Sequence, residues 1–317
     1  MLAAVGMRGA PVGDRGVADP GAAQWLTVAL LQGNIPQDEK FRPGTGVPQA
    51  LAWYREQLKA SRAELVVAPE TALPLLPHEL PPRYLDDIAE PFRTGAQAAL
   101  VGLPLGDFKS GYTNSVLGLR PRADAYRYDK HHLVPFGEFI PPMFRWFTRM
   151  MEIPLGDFAR GPLAPASFEW RGQRLAPNVC YEDLFGEELA ARFADPASAP
   201  TILVNVSNIA WFGDTVAVAQ HLQISRMRAL ELRRPMLRAT NTGATVVIDH
   251  LGRVTHALAP ATRGVLEGQV QGREGVTPFA RWAARWGLWP MWALGLGALG
   301  AGLGLAQAAR RREGMAA

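Results

Sequence analysis

Residues 174–209 read RLAPNVCYEDLFGEELAARFADPASAPTILVNVSNI. RLAPNVC is a short, mostly apolar run with the character of a buried strand. EDLFGEELAARFA has helical composition, and PTILVNVSNI returns to strand. Strand, helix and strand in that order predict a βαβ unit and hence a parallel sheet. A polar residue stands at the end of each strand, Cys180 at the first and Asn208 at the second. In open α/β folds, sites gather at the carboxyl ends of strands.

The same alternation continues on both sides. LTVALLQGNI (26–35) reads as a strand, VPQALAWYREQLKASRA (47–63) as an amphipathic helix, and ELVVAPE (64–70) as a short buried strand ending at Glu70. YLDDIAEPFRTGA is helical in pattern and AALVGLPLG is strand-like. YTNSVLGLR and AYRYDKHHLV are strands around a turn at Pro121 to Asp124. TVAVAQHLQISRMRALELRR is a long helix. MLRATNTGATVVIDHLGRVTHAL closes with two strands around an Asp-His-Leu-Gly turn. The predicted class is α/β with covered sheets. The expected divisions are a flexible lead-in at 1–24, a catalytic domain at 25–272, a transmembrane helix at 286–309 and a short basic tail at 310–317.

The composition excludes several classes. Of 317 residues, 48% are hydrophobic and 20% charged, which supports a sizeable core. A net charge of +4, with no basic stripe interleaved with aromatics, is not a nucleic-acid footprint. A single cysteine excludes an internal disulfide and a thiolate-rich metal site. His131 and His132, read as neighbours on a strand, face opposite sides and cannot share an ion. No metal is expected.

Residues 286–309 carry no charge: WGLWPMWALGLGALGAGLGLAQAA. At about 1.5 Å per residue such a helix crosses a hydrocarbon core of about 30 Å. Trp286, Trp289 and Trp292 cluster at one end, as interfacial aromatics do. Gly295, Gly297, Gly300, Gly302 and Gly304 would weaken a soluble helix but suit close packing in a membrane. The RRREG tail suggests a cytoplasmic C-terminus, with the preceding domain on the far side.

Three charged residues accompany Cys180. Glu70 follows a buried strand, where poor solvation raises a carboxylate's proton affinity towards that of a general base. Lys130 closes a strand, and a fixed ammonium there can stabilise a tetrahedral oxyanion. Glu138 stands inside the apolar run PFGEF, where a charge demands a partner. Taken alone, Cys180 reads first as an inert packed residue, Lys130 as a solvated strand-end lysine and Glu70 as a surface loop charge; the YED that follows Cys180 counts against the inert reading.

Several longer stretches narrow the reading. LVVAPET, YDKHHLVPFGE and NVCYED resemble the Glu–Lys–Cys signatures of the carbon-nitrogen hydrolase (nitrilase) superfamily. LLQGNIPQDEKF, VPFGEFIP, SNIAWFGD, QHLQISRMRALELRRPMLRATNTG and the C-terminal apolar run resemble, more narrowly, the apolipoprotein N-acyltransferase family. The resemblance spans about residues 26 to 305. It implies a nitrilase-like four-layer αββα sandwich followed by one C-terminal transmembrane helix. It implies Glu70 as general base, Lys130 as stabiliser of the intermediate and Cys180 as nucleophile. Glu138, Tyr181 and Glu182 take supporting places.

The implied reaction moves a fatty acyl chain from a phospholipid, through a Cys thioester, to the α-amine of a diacylglyceryl-cysteine at the N-terminus of an apolipoprotein. The implied setting is the bacterial inner membrane, with the catalytic domain facing the periplasm. No dissociable cofactor is implied. The apolar stretch after Glu138, with Phe139, Phe144, Trp146 and Phe147, is expected to form a lipid-facing arm. The family carries several membrane helices ahead of its catalytic domain, and residues 1–24 hold no such apolar run. Ile209 stands where relatives carry an acidic residue, and Phe41 where they carry tryptophan. Two other readings remain: a nitrilase-type amidase, in which water resolves the acyl-enzyme, and an inactive membrane-attached fragment.

Overall fold

Strand β1 (Leu26–Gln32) shows how the layers arise. Its side chains alternate, as a pleated strand requires. Leu26, Val28 and Leu30 enter one apolar cluster, and Ala29 and Leu31 enter another on the opposite face. β2 (Leu65–Val67) and β3 (Ala98–Asp107) repeat the pattern: Leu65, Val67, Ala98 and Leu100 face inward, while Val66, Ala99 and Val101 face outward. A strand apolar on both faces needs a cover on each. The outer cover is α1 (Gly46–Ala60) and α2 (Tyr84–Thr94), whose Tyr54, Leu58, Ile88 and Phe92 close that cluster.

The structure, a computed structural model, describes residues 25–109, 111–135, 137–139, 158–213 and 215–314. The remaining strands are β4 (Gly111–Leu119), β5 (Tyr126–Asp129), β6 (Phe168–Trp170), β7 (Gln173–Val179), β8 (Ile202–Ser207), β9 (Met236–Thr240), β10 (Val246–Ile248), β11 (Val254–Ala257) and β12 (Gly264–Val270). They form two six-stranded sheets, ordered β12-β1-β2-β3-β4-β5 and β11-β10-β9-β8-β7-β6. Each sheet has a parallel trio at its heart, β1-β2-β3 in one and β7-β8-β9 in the other, flanked by antiparallel strands. The inner faces meet in a shared core containing Val28, Val67, Leu100, Val179, Val204 and Leu237. Each such side chain, fully buried, contributes about 1.5–3 kcal/mol.

The outer face of the second sheet is covered by α3 (Gly186–Ala190), α4 (Val216–Leu232) and α5 (Pro278–Trp286), through Leu189, Ala229, Leu232, Ala280 and Ala283. The layers therefore run helix, sheet, sheet, helix, the expected αββα sandwich.

The elements depart from the sequence reading in several places, among them Trp286, which ends the helix before Gly287 and does not belong to the last helix, expected over 286–309. The segment after Cys180 is not one helix. It is a 3-10 turn (Cys180–Leu184), the single α-turn of α3 and a second 3-10 turn (Ala191–Phe193). Gly186 interrupts it, and a Cβ there would run into the Arg228 guanidinium. β6 and β12 are strands that the hydrophobic pattern did not show; in β12 only Leu266 and Val270 are buried. β5 ends at Asp129, so Lys130, His131 and His132 lie beyond it, and the two histidines turn to separate acceptors, Gly161 O and Glu188.

The last helix, α6 (Trp289–Gly314), is the only described helix long and apolar enough to cross a membrane. Over Trp289–Gln307 its mean hydropathy is 1.3 and none of it is buried. A Cβ added at Gly295, Gly297, Gly300, Gly302 or Gly304 would meet open space, so no described part of this chain packs against these positions.

Candidate active site

Polar residues converge at the carboxyl ends of the parallel strands. Lys40 follows β1, Glu70 follows β2, Cys180 follows β7, Asn208 follows β8 and Asn241 follows β9. Hydrogen bonds between the sheets bring these ends together. Asn241 Nδ2 donates to Ile35 O (2.8 Å) and Asn34 N donates to Asn241 O (2.7 Å). Asn208 N donates to Glu70 Oε2 (2.7 Å), so the second sheet holds the carboxylate carried by the first. Gly102 makes room for the loop: a Cβ there would collide with Pro69 O and lie 2.8 Å from Glu70 Cα.

Lys130 is completely buried. Its Nζ lies 2.9 and 2.8 Å from the two oxygens of Glu138 and 3.8 Å from Glu70 Oε1. Asn114 bridges the same carboxylates, donating to Glu70 Oε1 (2.7 Å) and Glu138 Oε1 (2.8 Å). Val134 N donates to Glu138 Oε2 (2.9 Å). The partner demanded by Glu138 is therefore Lys130, shared with Glu70. Burial works against the Lys130 ammonium, yet the balance lies above the usual lysine range, with the Glu70 and Glu138 carboxylates among the charges that hold the lysine protonated.

Cys180 occupies an uncommon backbone. Its φ is +57°, the left-handed region that L side chains avoid. Burial pushes the thiol up, and Glu70, Glu138 and Asp183 add to the shift, with Lys130 opposing them. At neutral pH the group is a thiol, unlike the acidic cysteines found at long helix N-termini. Nucleophilic attack then requires a base, and the Glu70 carboxylate is among the charges that act on the thiol.

Tyr181 and Glu182 anchor this turn. Tyr181 Oη donates to Leu133 O (2.8 Å), and Lys130 Nζ sits 5.4 Å above its ring. The buried Glu182 carboxylate accepts from Val179 N (2.6 Å), His131 N (2.7 Å), His132 N (3.0 Å) and Tyr128 Oη (2.7 Å). It thus ties the Cys180 turn to the loop that carries Lys130. Among the expected arm residues, Phe139 is half-buried; Phe144, Trp146 and Phe147 lie outside the described residues. Phe158 N donates to Glu138 O (2.9 Å), so the chain leaves and re-enters this region beside the site. Ile209 is buried, and Phe41 is 36% exposed.

Sequence reasoning missed Asn241 here, and two residues closer to the carboxylates, Asn114 and Lys40. Asn114 lies in a strand whose neighbours Thr113 and Ser115 are also polar and buried, an interruption of the apolar pattern that marks it. Lys40, in GNIPQDEKF, resembles a loop charge, yet it is 1% exposed and its Nζ donates to Glu70 O (3.1 Å).

Burial lowers the Lys40 ammonium to about 7, against opposing attraction from Glu70 and Cys180. Between pH 7 and 10.5 the unfolded chain holds a proton that the folded chain has released. Raising pH across that window therefore stabilises wild type relative to Lys40→Met, by up to about 1.4 kcal/mol per pH unit. Urea unfolding of both proteins at several pH values checks this; a pH-independent difference contradicts it.

Residues 27–278 match the carbon-nitrogen hydrolase family. The chain belongs to that family. It is 66% identical over 272 residues to the apolipoprotein N-acyltransferase of Verminephrobacter eiseniae, a match covering 83% of this chain and 51% of that protein. It is 52% identical over 257 residues to the apolipoprotein N-acyltransferase of Ralstonia nicotianae, covering 81% of this chain and 49% of that protein. The chain thus spans about half the length of these curated relatives. Among solved structures, a carbon-nitrogen hydrolase superfamily protein of Xanthomonas campestris superposes with a TM-score of 0.60 at 20% identity, covering 84% of this chain and 96% of that one. A nitrilase-superfamily amidase from Nesterenkonia gives a TM-score of 0.56 at 18% identity, covering 78% and 90%. At these identities the two structures show the shared fold.

Proposed function

We propose that this chain carries the catalytic domain of an apolipoprotein N-acyltransferase. The observation that carries the reading is one buried cation between two carboxylates, Glu70–Lys130–Glu138, whose charges act on the Cys180 thiol. In the first half-reaction Glu70 takes the thiol proton as the sulfur attacks the ester carbonyl carbon of a phospholipid. The oxyanion forms against the Lys130 ammonium. The carbon–oxygen bond then breaks, the departing lysophospholipid oxygen takes the proton back from Glu70, and a thioester remains. In the second half-reaction the α-amine of a diacylglyceryl-cysteine attacks the thioester and gives a proton to Glu70. The carbon–sulfur bond breaks and the thiolate is reprotonated. An amide and a free Cys180 result, with no net charge change and no oxidant. Splitting the transfer through a covalent intermediate lowers each barrier.

The lipid substrate is supported by features that a soluble amidase does not need. α6 is apolar and unburied. Exposed Phe108 stacks edge-on against Tyr112, which packs against Phe158, where the chain returns from the apolar segment. In this reading α6 spans the bacterial inner membrane and the sandwich faces the periplasm. Glu138, Tyr181 and Glu182 hold Lys130 and the nucleophile's turn in place.

Substrate choice is the test. In micelles the protein is expected to release lysophospholipid and acylate a diacylglyceryl-cysteine peptide, while a short aliphatic amide is left intact. Release of ammonia from the amide, without lysophospholipid, would make the protein an amidase.

A further inference from the structure

A second polar cluster lies behind Cys180, and the acyl-transfer steps leave it unused. Asp183, Asn205, Ser225 and Arg238 are completely buried. His221, on α4, has an 11% exposed side chain and stands between them and the nucleophile's backbone. Its Nδ1 lies 3.1 Å from Arg238 Nη2. A guanidinium only donates, so Nδ1 is an acceptor and the ring proton sits on Nε2. That nitrogen faces two acceptors, Asp183 Oδ1 at 3.0 Å and the Cys180 carbonyl at 3.2 Å.

Arg238 is held in turn. Its Nη1 donates to Asn205 Oδ1 (2.8 Å) and Ser225 Oγ (2.7 Å), and lies 3.5 Å from Asp183 Oδ2. Ser225 Oγ donates to Asp183 Oδ2 (2.5 Å). Asn205 Nδ2 donates to the same Cys180 carbonyl (2.8 Å).

We propose that His221, fixed as its Nε2–H tautomer by Arg238, is a positioning residue that holds the nucleophile's backbone through the Cys180 carbonyl. Cys180 needs such a restraint because its left-handed φ is not one the residue adopts unaided. The peptide after it is planar. Pinning its carbonyl therefore also fixes the Tyr181 N–H, which points the opposite way. Displacement of a reacting group by about 1 Å can cost ~10²-fold in rate, which sets the size of the expected effect.

The rate arm of the test rests on the acyl-transfer reading; two other readouts do not. In the full chain, His221→Phe is expected to slow Cys180 acylation by phospholipid about 10²-fold with the half-saturating lipid concentration unchanged. His221→Gln, which can place an amide N–H near the lost Nε2–H, is expected to recover the rate to within about tenfold. Alkylation of Cys180, the only cysteine, by iodoacetamide should slow about tenfold in His221→Phe. Nitrogen shifts of the wild-type ring should show a proton on Nε2. A proton on Nδ1, unchanged alkylation, or equal rate loss in the Phe and Gln variants overturns the proposal. Absence of acylation in wild type would sink the acyl-transfer reading, while the shifts and the alkylation rates still decide the role of His221.

Discussion

Cys180→Ala is expected to abolish thioester formation, lowering turnover by roughly 10⁶-fold, the scale seen when a covalent nucleophile is deleted. The alternative role for a lone cysteine is inert packing, and it makes the opposite forecast. A packed thiol contributes about one buried group, so its removal would alter stability by about 1 kcal/mol and leave turnover intact. The proposed function requires the first outcome. The thiol is held protonated by burial and by Glu70, Glu138 and Asp183, and under that proposal Glu70 takes its proton. Cys180→Gly offers a control: it also lacks the sulfur but relieves the left-handed backbone at φ +57°. It should be more stable than Cys180→Ala by about 1–2 kcal/mol and equally inactive. Turnover assays and thermal unfolding of both variants check the pair.

Lys130→Met carries the second large effect. The substitution keeps the length of the side chain but removes the cation shared by Glu70 and Glu138. Breaking a buried pair by deleting one partner costs about 3–5 kcal/mol, because a charge is left without compensation. Asn114 alone then bridges two like-charged carboxylates. One of them must bind a proton on folding, so the folded state holds more protons than the unfolded chain above the ordinary carboxylate range. Stability of the variant relative to wild type should therefore fall as pH rises from about 5 to 8. Activity should drop by about 10²–10³-fold, the usual loss when an oxyanion-stabilising group is removed. Urea unfolding across that range, with turnover measured on the same preparations, tests both. A variant as stable as wild type at every pH would show that Lys130 does not hold the two carboxylates.

Much of this was legible in the sequence because strand ends announce themselves. Glu70 and Asn208 each follow an apolar run, and the structure joins them through Asn208 N and Glu70 Oε2. Glu138 stood out as a charge among apolar residues, and its partner proved to be Lys130. The helix after Cys180 was misread because EDLFGEELAARFA satisfies helical periodicity throughout. Periodicity does not register that Glu182 turns back to Val179 N or that Gly186 lies against Arg228. Lys40, Asn114 and His221 were not legible for a different reason. Each looks ordinary in its own segment and gains a role only from tertiary contacts across thirty residues or more, between elements that the sequence does not rank as neighbours. β6 and β12 are strands by virtue of the partner they pair with, β7 and β1, and not by their own pattern.

The central claim is that Cys180 carries a lipid-derived acyl group. Intact-mass measurement of the full chain after incubation with phospholipid liposomes tests it directly, with Cys180→Ala treated in parallel. The expected result is a mass gain of one fatty acyl group on wild type, released by hydroxylamine as a thioester is, and no gain on the variant. An adduct on both proteins, or none on wild type, would contradict it.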